Sequence, residues 1–110
     1  MSFFKSDIVQ KEMEDIDRLQ NEVYDSTFLF SSMTKYDRIK HVELMEKLLQ
    51  KQETLYSRLT LSDDPKAKEM KDSIIDAAIS MGFPEDINPL DIFKNMSKII
   101  ENMKNSINNS

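Results

Sequence analysis

The amino-acid sequence predicts an all-α protein, and three observations predict it. Apolar residues recur at three- and four-residue intervals along nearly the whole chain, the spacing of helices with one buried face. Glycine occurs once and proline three times, all between residues 65 and 89 and at the edges of apolar runs. No stretch alternates apolar and polar residues as a half-buried strand does, and there is no hairpin dipeptide and no internal repeat.

The first helix is expected over about 7–32. Val9, Ile16, Val23 and Phe30 fall at seven-residue steps, with Met13, Leu19 and Thr27 between them. Ser6 is placed to cap it, and Asp7 suits the positive end of the helix dipole. Thr34-Lys35-Tyr36-Asp37 resembles a capping box with Asp in place of Glu. It opens a second helix over about 35–59, apolar at Ile39, Val42, Met45, Leu48, Leu49, Leu55, Tyr56 and Leu59. A link of two or three residues makes these two helices antiparallel neighbours.

Ser62-Asp63-Asp64-Pro65 starts a third helix, with Asp64 as cap and Pro65 at the first helical position. That helix, about 65–81, carries Ala67, Met70, Ile74, Ala77, Ala78 and Met81 and stops at Gly82, where a left-handed residue is wanted. Asn88-Pro89 restarts the chain in the same way. The fourth helix, about 89–105, shows Phe93, Met96, Ile100, Met103 and Ile107 at alternating three- and four-residue steps. The expectation is one helical domain over 1–110, with an aromatic lead-in at 1–6 and a polar tail at 105–110 that frays.

Composition excludes several function classes. With 110 residues the chain supports one modest core. It has no cysteine, which removes disulfides, thiolate metal sites and cysteine catalysis. One histidine and one glycine leave no multi-histidine metal site and no glycine-rich phosphate loop. The net charge is −5, and neither half is basic: residues 1–60 hold 9 basic and 11 acidic side chains, residues 61–110 hold 6 and 9. Direct nucleic-acid binding is therefore not expected. No apolar run approaches the ~20 residues of a membrane span. The opening residues lack a basic stretch followed by an apolar one, so the expected compartment is the cytoplasm.

Chemistry-bearing candidates are few. His41 reads as a surface or half-buried helix residue, because no pattern supplies an orienting acid and a nucleophile. Glu43 with Glu46, and Glu12 with Asp15, share helix faces, but the Glu-x-x-His element of a dinuclear bundle site is absent. Asp63 and Asp64 are explained by capping rather than by a cation. No catalytic residue, cofactor, metal or small-molecule substrate is expected. The acidic run Glu12 to Asp17 reads as a solvated helix face. Gln20 and Thr27 follow Met13 at seven-residue steps; they either fix register within an apolar seam or lie at its wet edge. The eight methionines are either core or an adaptable binding surface.

The aromatic residues say more. Phe28-Leu29-Phe30 would spread apolar groups over about 200° of a helix, more than a hairpin covers. Phe3 and Phe4 precede the first helix and are expected to dock on the hairpin. Phe3, Phe4, Val9, Ile16, Val23, Phe28 and Phe30 are the predicted interaction residues. Two long helices of about 38 Å cannot be covered end to end by two of about 27 Å. One end of the seam would stay open, and pairing two hairpins about a two-fold axis would close it. The expectation is a homodimer; a monomer with the last two helices folded across the hairpin's middle is the competing arrangement.

The residues also carry a family resemblance. Phe3-Phe4-Lys5-Ser6-Asp7-Ile8-Val9-Gln10-Lys11-Glu12 resembles the "FF-x-S-x-IVQ-x-E" opening of a small cyanobacterial family, domain of unknown function 1825. Tyr36-Asp37-Arg38 resembles its "FDR", Glu43-Leu44-Met45-Glu46 its "EQME", and Leu61-Ser62-Asp63-Asp64 its "LS-D/E-D" turn. Asn88-Pro89 through Phe93, and Met96 to Lys104, resemble its last helix. The chain departs from the host-type pattern across about 20–32 and 66–83. The resemblance implies an origin in cyanobacteria or their tailed phages, for which the 12 Lys, 3 Arg and 11 Ile of an AT-rich genome are suited. It lends no catalytic residue and no cofactor. The expected function is that of a non-enzymatic protein–protein interaction module, an auxiliary protein of a cyanophage or cyanobacterium with a host protein as possible partner. A transcription-related regulator acting through protein contacts, or a minor virion component, is the alternative. A phage-encoded copy would act in the host cytoplasm.

Overall fold

Four helices account for most of the chain: α1 (Asp7–Thr27), α2 (Lys35–Leu61), α3 (Pro65–Ser80) and α4 (Pro89–Asn108). The structure, a computed structural model, describes residues 2–80 and 82–109. Met81, the last apolar residue expected of the third helix, lies outside the described residues, as do Met1 and Ser110 of the lead-in and tail. Among the described residues there is no strand. The all-α fold and its long antiparallel hairpin are as the periodicity predicts.

Local chemistry fixes the helix boundaries. Thr34 Oγ1 accepts the Asp37 N–H at 3.1 Å and starts α2. Asp64 Oδ1 accepts the Lys66 N–H at 3.0 Å and starts α3. Asn88 Oδ1 accepts the Leu90 N–H at 3.1 Å at the head of α4, with Pro89 in the first position. Ser6 has the extended backbone of an N-cap without a side-chain bond. Beyond α3, Gly82 sits at φ +99°. The Phe83 N–H reaches the Ala78 carbonyl and the Gly82 N–H reaches that of Ile79, the bond pair of a Schellman cap.

Two boundaries differ from the sequence expectation. α1 ends at Thr27, not Ser32. Ser26 Oγ donates to the Glu22 carbonyl at 2.8 Å and Thr27 Oγ1 to that of Val23 at 2.7 Å, back-bonding that weakens a helix. The chain tightens into a 3₁₀ turn at Phe30–Ser32. Arg38 holds the turn, donating to the Phe30 carbonyl at 3.1 Å and the Ser31 carbonyl at 2.9 Å. The arc expected of Phe28-Leu29-Phe30 on one helix is thereby broken up: Phe28 stays outside while Phe30 turns inward against His41. At the other end, the tail expected to fray is helical to Asn108. Met103 and Ile107 pack on the core there, and Lys35 Nζ donates to the Asn108 carbonyl at 3.1 Å.

α2 is the central element. α1 runs antiparallel along one side of it, through Glu12–Arg58, Asp15–Lys51 and Ser26–His41. α4 runs antiparallel along the other, through Tyr56–Phe93, Glu46–Lys104 and Lys35–Asn108. α3 packs against α2 and the N-terminal lead-in. One core cluster joins Phe3, Val9, Tyr56, Leu59 and Ala67; a second joins Val42, Leu49 and Ile100. α4 runs along most of α2, from Phe93 at Tyr56 to Asn108 at Lys35. The uncovered part runs lengthwise, between α1 and α4.

Candidate functional site

α1 and α4 both pack on α2 and barely touch each other. That arrangement leaves an apolar trough with α2 as its floor. Helical spacing identifies the lining. On α2, Met45, Leu48 and Gln52 lie between the residues that face α1 and those that face α4, and each is half-buried. The α1 wall carries Met13, Ile16, Gln20 and Val23; the α4 wall carries Met96, Ile99 and Met103.

One end of the trough deepens into a cavity of about 370 Å³ among Ile16, Gln20, Gln52, Leu55, Met70 and Phe93. Phe3 and Phe4 close this end, ring against ring at 5.0 Å and 89°. They are anchored through the backbone: the Phe3 N–H donates to Asp64 Oδ2 at 2.6 Å. The Lys66 and Phe3 N–H groups together hold the Asp64 carboxyl below its ordinary pKa. Tyr56 lies under this end, and burial pushes its hydroxyl pKa up. The other end is closed by Phe30, which forms a shallow groove with Ile99, Met103 and Ile107.

Charge is kept out of the lining. The Glu12–Arg58 and Asp15–Lys51 pairs, at 2.9 and 3.3 Å, lie on the side of the α1–α2 seam away from the trough. Glu46–Lys104 at 3.4 Å lies beyond the α2–α4 seam. Lys51 also holds the Asp15 carboxyl below its ordinary pKa. In the trough, the amides of Gln20 and Gln52 supply hydrogen-bonding capacity.

His41 corrects the sequence reading. It is buried rather than surface or half-buried, and its Nδ1 lies 2.7 Å from Ser26 Oγ. The hairpin brings together residues fifteen apart, which no local motif reveals. Ser26 Oγ also reaches the Glu22 carbonyl at 2.8 Å, and which of Oγ and Nδ1 donates follows the tautomer of the ring. Burial lowers the His41 pKa, which favours the neutral ring. Among the described residues no three acidic or histidine side chains converge, and no helix is long and apolar enough to cross a membrane.

The model of DUF1825, a domain of unknown function, matches residues 1–107. The chain belongs to that family. No curated protein and no solved structure matches it. In this DUF1825 chain, the seven predicted interaction residues divide into three groups. Phe3, Val9 and Ile16 are buried within the chain, Ile16 where it lines the cavity. Phe4, Val23 and Phe30 are half-buried, Phe4 at the closed end and the other two along the trough. Phe28 alone is largely exposed, at 70%, edge-on to Tyr24 at 5.1 Å. Gln20 and Thr27 are exposed, at the wet edge of the stripe. Sequence reasoning missed the α4 wall. Ile99-Ile100 carried the signal, since two adjacent isoleucines cannot both face α2.

Proposed function

We propose that this DUF1825 chain is a non-enzymatic helical protein–protein interaction module that uses the trough between α1 and α4. The observation behind this reading is a long, uncharged trough with four methionines along it: Met13, Met45, Met96 and Met103. Such a groove receives the apolar face of a helix, and methionine adapts to an irregular partner surface. Half-buried Ser26 and buried His41 hold the hairpin tip together, and the reading assigns them no chemistry. The setting it implies is the cytoplasm of a cyanobacterium, with the gene belonging to the host or to a phage.

Capture from cyanobacterial lysate tests it. Tagged wild-type chain is expected to retain a defined protein at near-stoichiometric yield. Met96→Asp with Ile99→Asp is expected to lose that protein while keeping its helical circular dichroism. Identical captured sets for both chains contradict the reading. A captured polymerase subunit or coat protein would sort the transcriptional and virion versions of it.

A further inference from the structure

The trough's own dimensions and chemistry point to what covers it. The chain exposes 7788 Å², about a quarter more than the ~6300 Å² of a compact monomer of its mass. Its radius of gyration is 15.9 Å, against about 13 Å for a compact domain of this length. Part of the apolar exposure borders the trough. Tyr24 and Phe28, edge-on at 5.1 Å, form an apolar patch on the outer side of α1 near its C-terminus; Met13 of the α1 wall and Met96 and Ile99 of the α4 rim are exposed as well. These five exposed side chains present on the order of 600 Å², close to the ~800 Å² per partner of a stable interface. The chain therefore carries a trough and an apolar patch on α1.

We propose that the occupant is a second copy of this chain, with α1 of each copy lying along the partner's trough about a two-fold axis. This rests on the trough being an interaction face and names its partner. An isologous interface requires self-complementary groups, and the polar groups of the lining meet that requirement. The Gln20 and Gln52 amides each donate and accept, so either can bond a glutamine of the other copy. A net charge of −5 on each chain would oppose pairing, but the ion pairs lie away from the trough and the lining is neutral. Met13, Gln20 and Thr27 at seven-residue steps suit two α1 helices crossing at a shallow angle, and a single amide within such a seam fixes register.

The absence of cysteine makes a clean test possible. Sedimentation equilibrium on wild-type chain at micromolar concentration should give twice the 12.9 kDa chain mass, and Ile99→Asp should return it to the single mass with helicity retained. Gln20→Cys should oxidise to a disulfide-linked pair, whereas exposed Lys11→Cys, on the opposite side of α1, should not. A single-chain mass for wild type overturns the proposal. So does a pair that survives Ile99→Asp or that cross-links equally through both cysteines. A wild-type monomer that still captures a protein lost on Ile99→Asp overturns the second copy and spares the interaction reading. A monomer that captures nothing overturns both.

Discussion

The two ends of the α1 stripe behave differently, although the sequence writes them in the same seven-residue rhythm. Val9 and Ile16 are buried, whereas Val23 is only half-buried and Thr27 is exposed. The difference comes from elements remote in sequence. Phe3, Phe4 and α3 seal the first part of the stripe, held by the Asp64 clamp on the Phe3 N–H. Among the described residues no element covers the second part in the same way, because α4 packs on α2 rather than on α1. Identical periodicity thus serves stability at one end and leaves an open face at the other.

The largest expected effect lies at the closed end. Phe3→Ala should cost about 3 kcal/mol in urea unfolding, through lost burial and the cavity left behind. Ile99→Asp should cost almost nothing in the stability of the single chain, because its side chain is 58% exposed. Equal losses from both substitutions would erase the distinction between closed end and open trough.

Arg38→Ala comes next. It leaves the Phe30 and Ser31 carbonyls without their charged donor, at about 2 kcal/mol, and should free Phe30 from its place over the trough's end. Thermal melts joined with Phe30 side-chain resonances check both parts. Gly82→Ala and Gly82→Val should each cost about 1 kcal/mol, because φ +99° is strained for any side chain. Nothing lies within 4 Å of an added Cβ, so the two should cost about the same; a much larger loss for Val would reveal packing at that corner.

The smallest effect is a pH dependence. Burial holds the His41 pKa below its ordinary 6.5, so the unfolded chain takes the proton first as pH falls. The stability gained from the neutral ring is whole above about pH 7 and is lost as pH falls through 6.5 toward the folded value. Asp15 and Asp64, held below 3.8, act only nearer pH 4 and under. Urea midpoints should therefore drop from about pH 7.5 to about pH 5.5 in wild type and much less in His41→Gln. An equal drop in both would place the sensitivity elsewhere.

Much of this fold was legible in the sequence because its signals are local. Thr34, Gly82, Asn88 and the capping oxygen of Asp64 each act on backbone groups within a few residues, and each sits where its type predicts. The boundary at Thr27 was not legible, because back-bonding by Ser26 and Thr27 and the reach of Arg38 compete with a continuous apolar pattern. The helix to Asn108 escaped because the asparagine-rich tail conceals Ile107 and its packing. The trough itself is a matter of which helices neighbour which. The stripe predicted an opening at its Val9 end or its Phe30 end; α1 is open toward Thr27, while α4, whose alignment helix length does not reveal, reaches Lys35 and covers α2 there. The Ser26–His41 contact is invisible for the same reason: it exists only once the hairpin closes.

Two isoleucines allow the most direct test of the claim that the trough is where this chain meets a partner. Ile8, on the side of α1 away from the trough, and Ile99, on the α4 rim, are almost equally exposed, at 59% and 58%. Solvent paramagnetic relaxation of their δ1 methyl resonances, followed as the protein is concentrated, reads each site separately. The account predicts that Ile99 becomes shielded while Ile8 stays open to the probe. Two methyls that remain equally accessible at every concentration would contradict it.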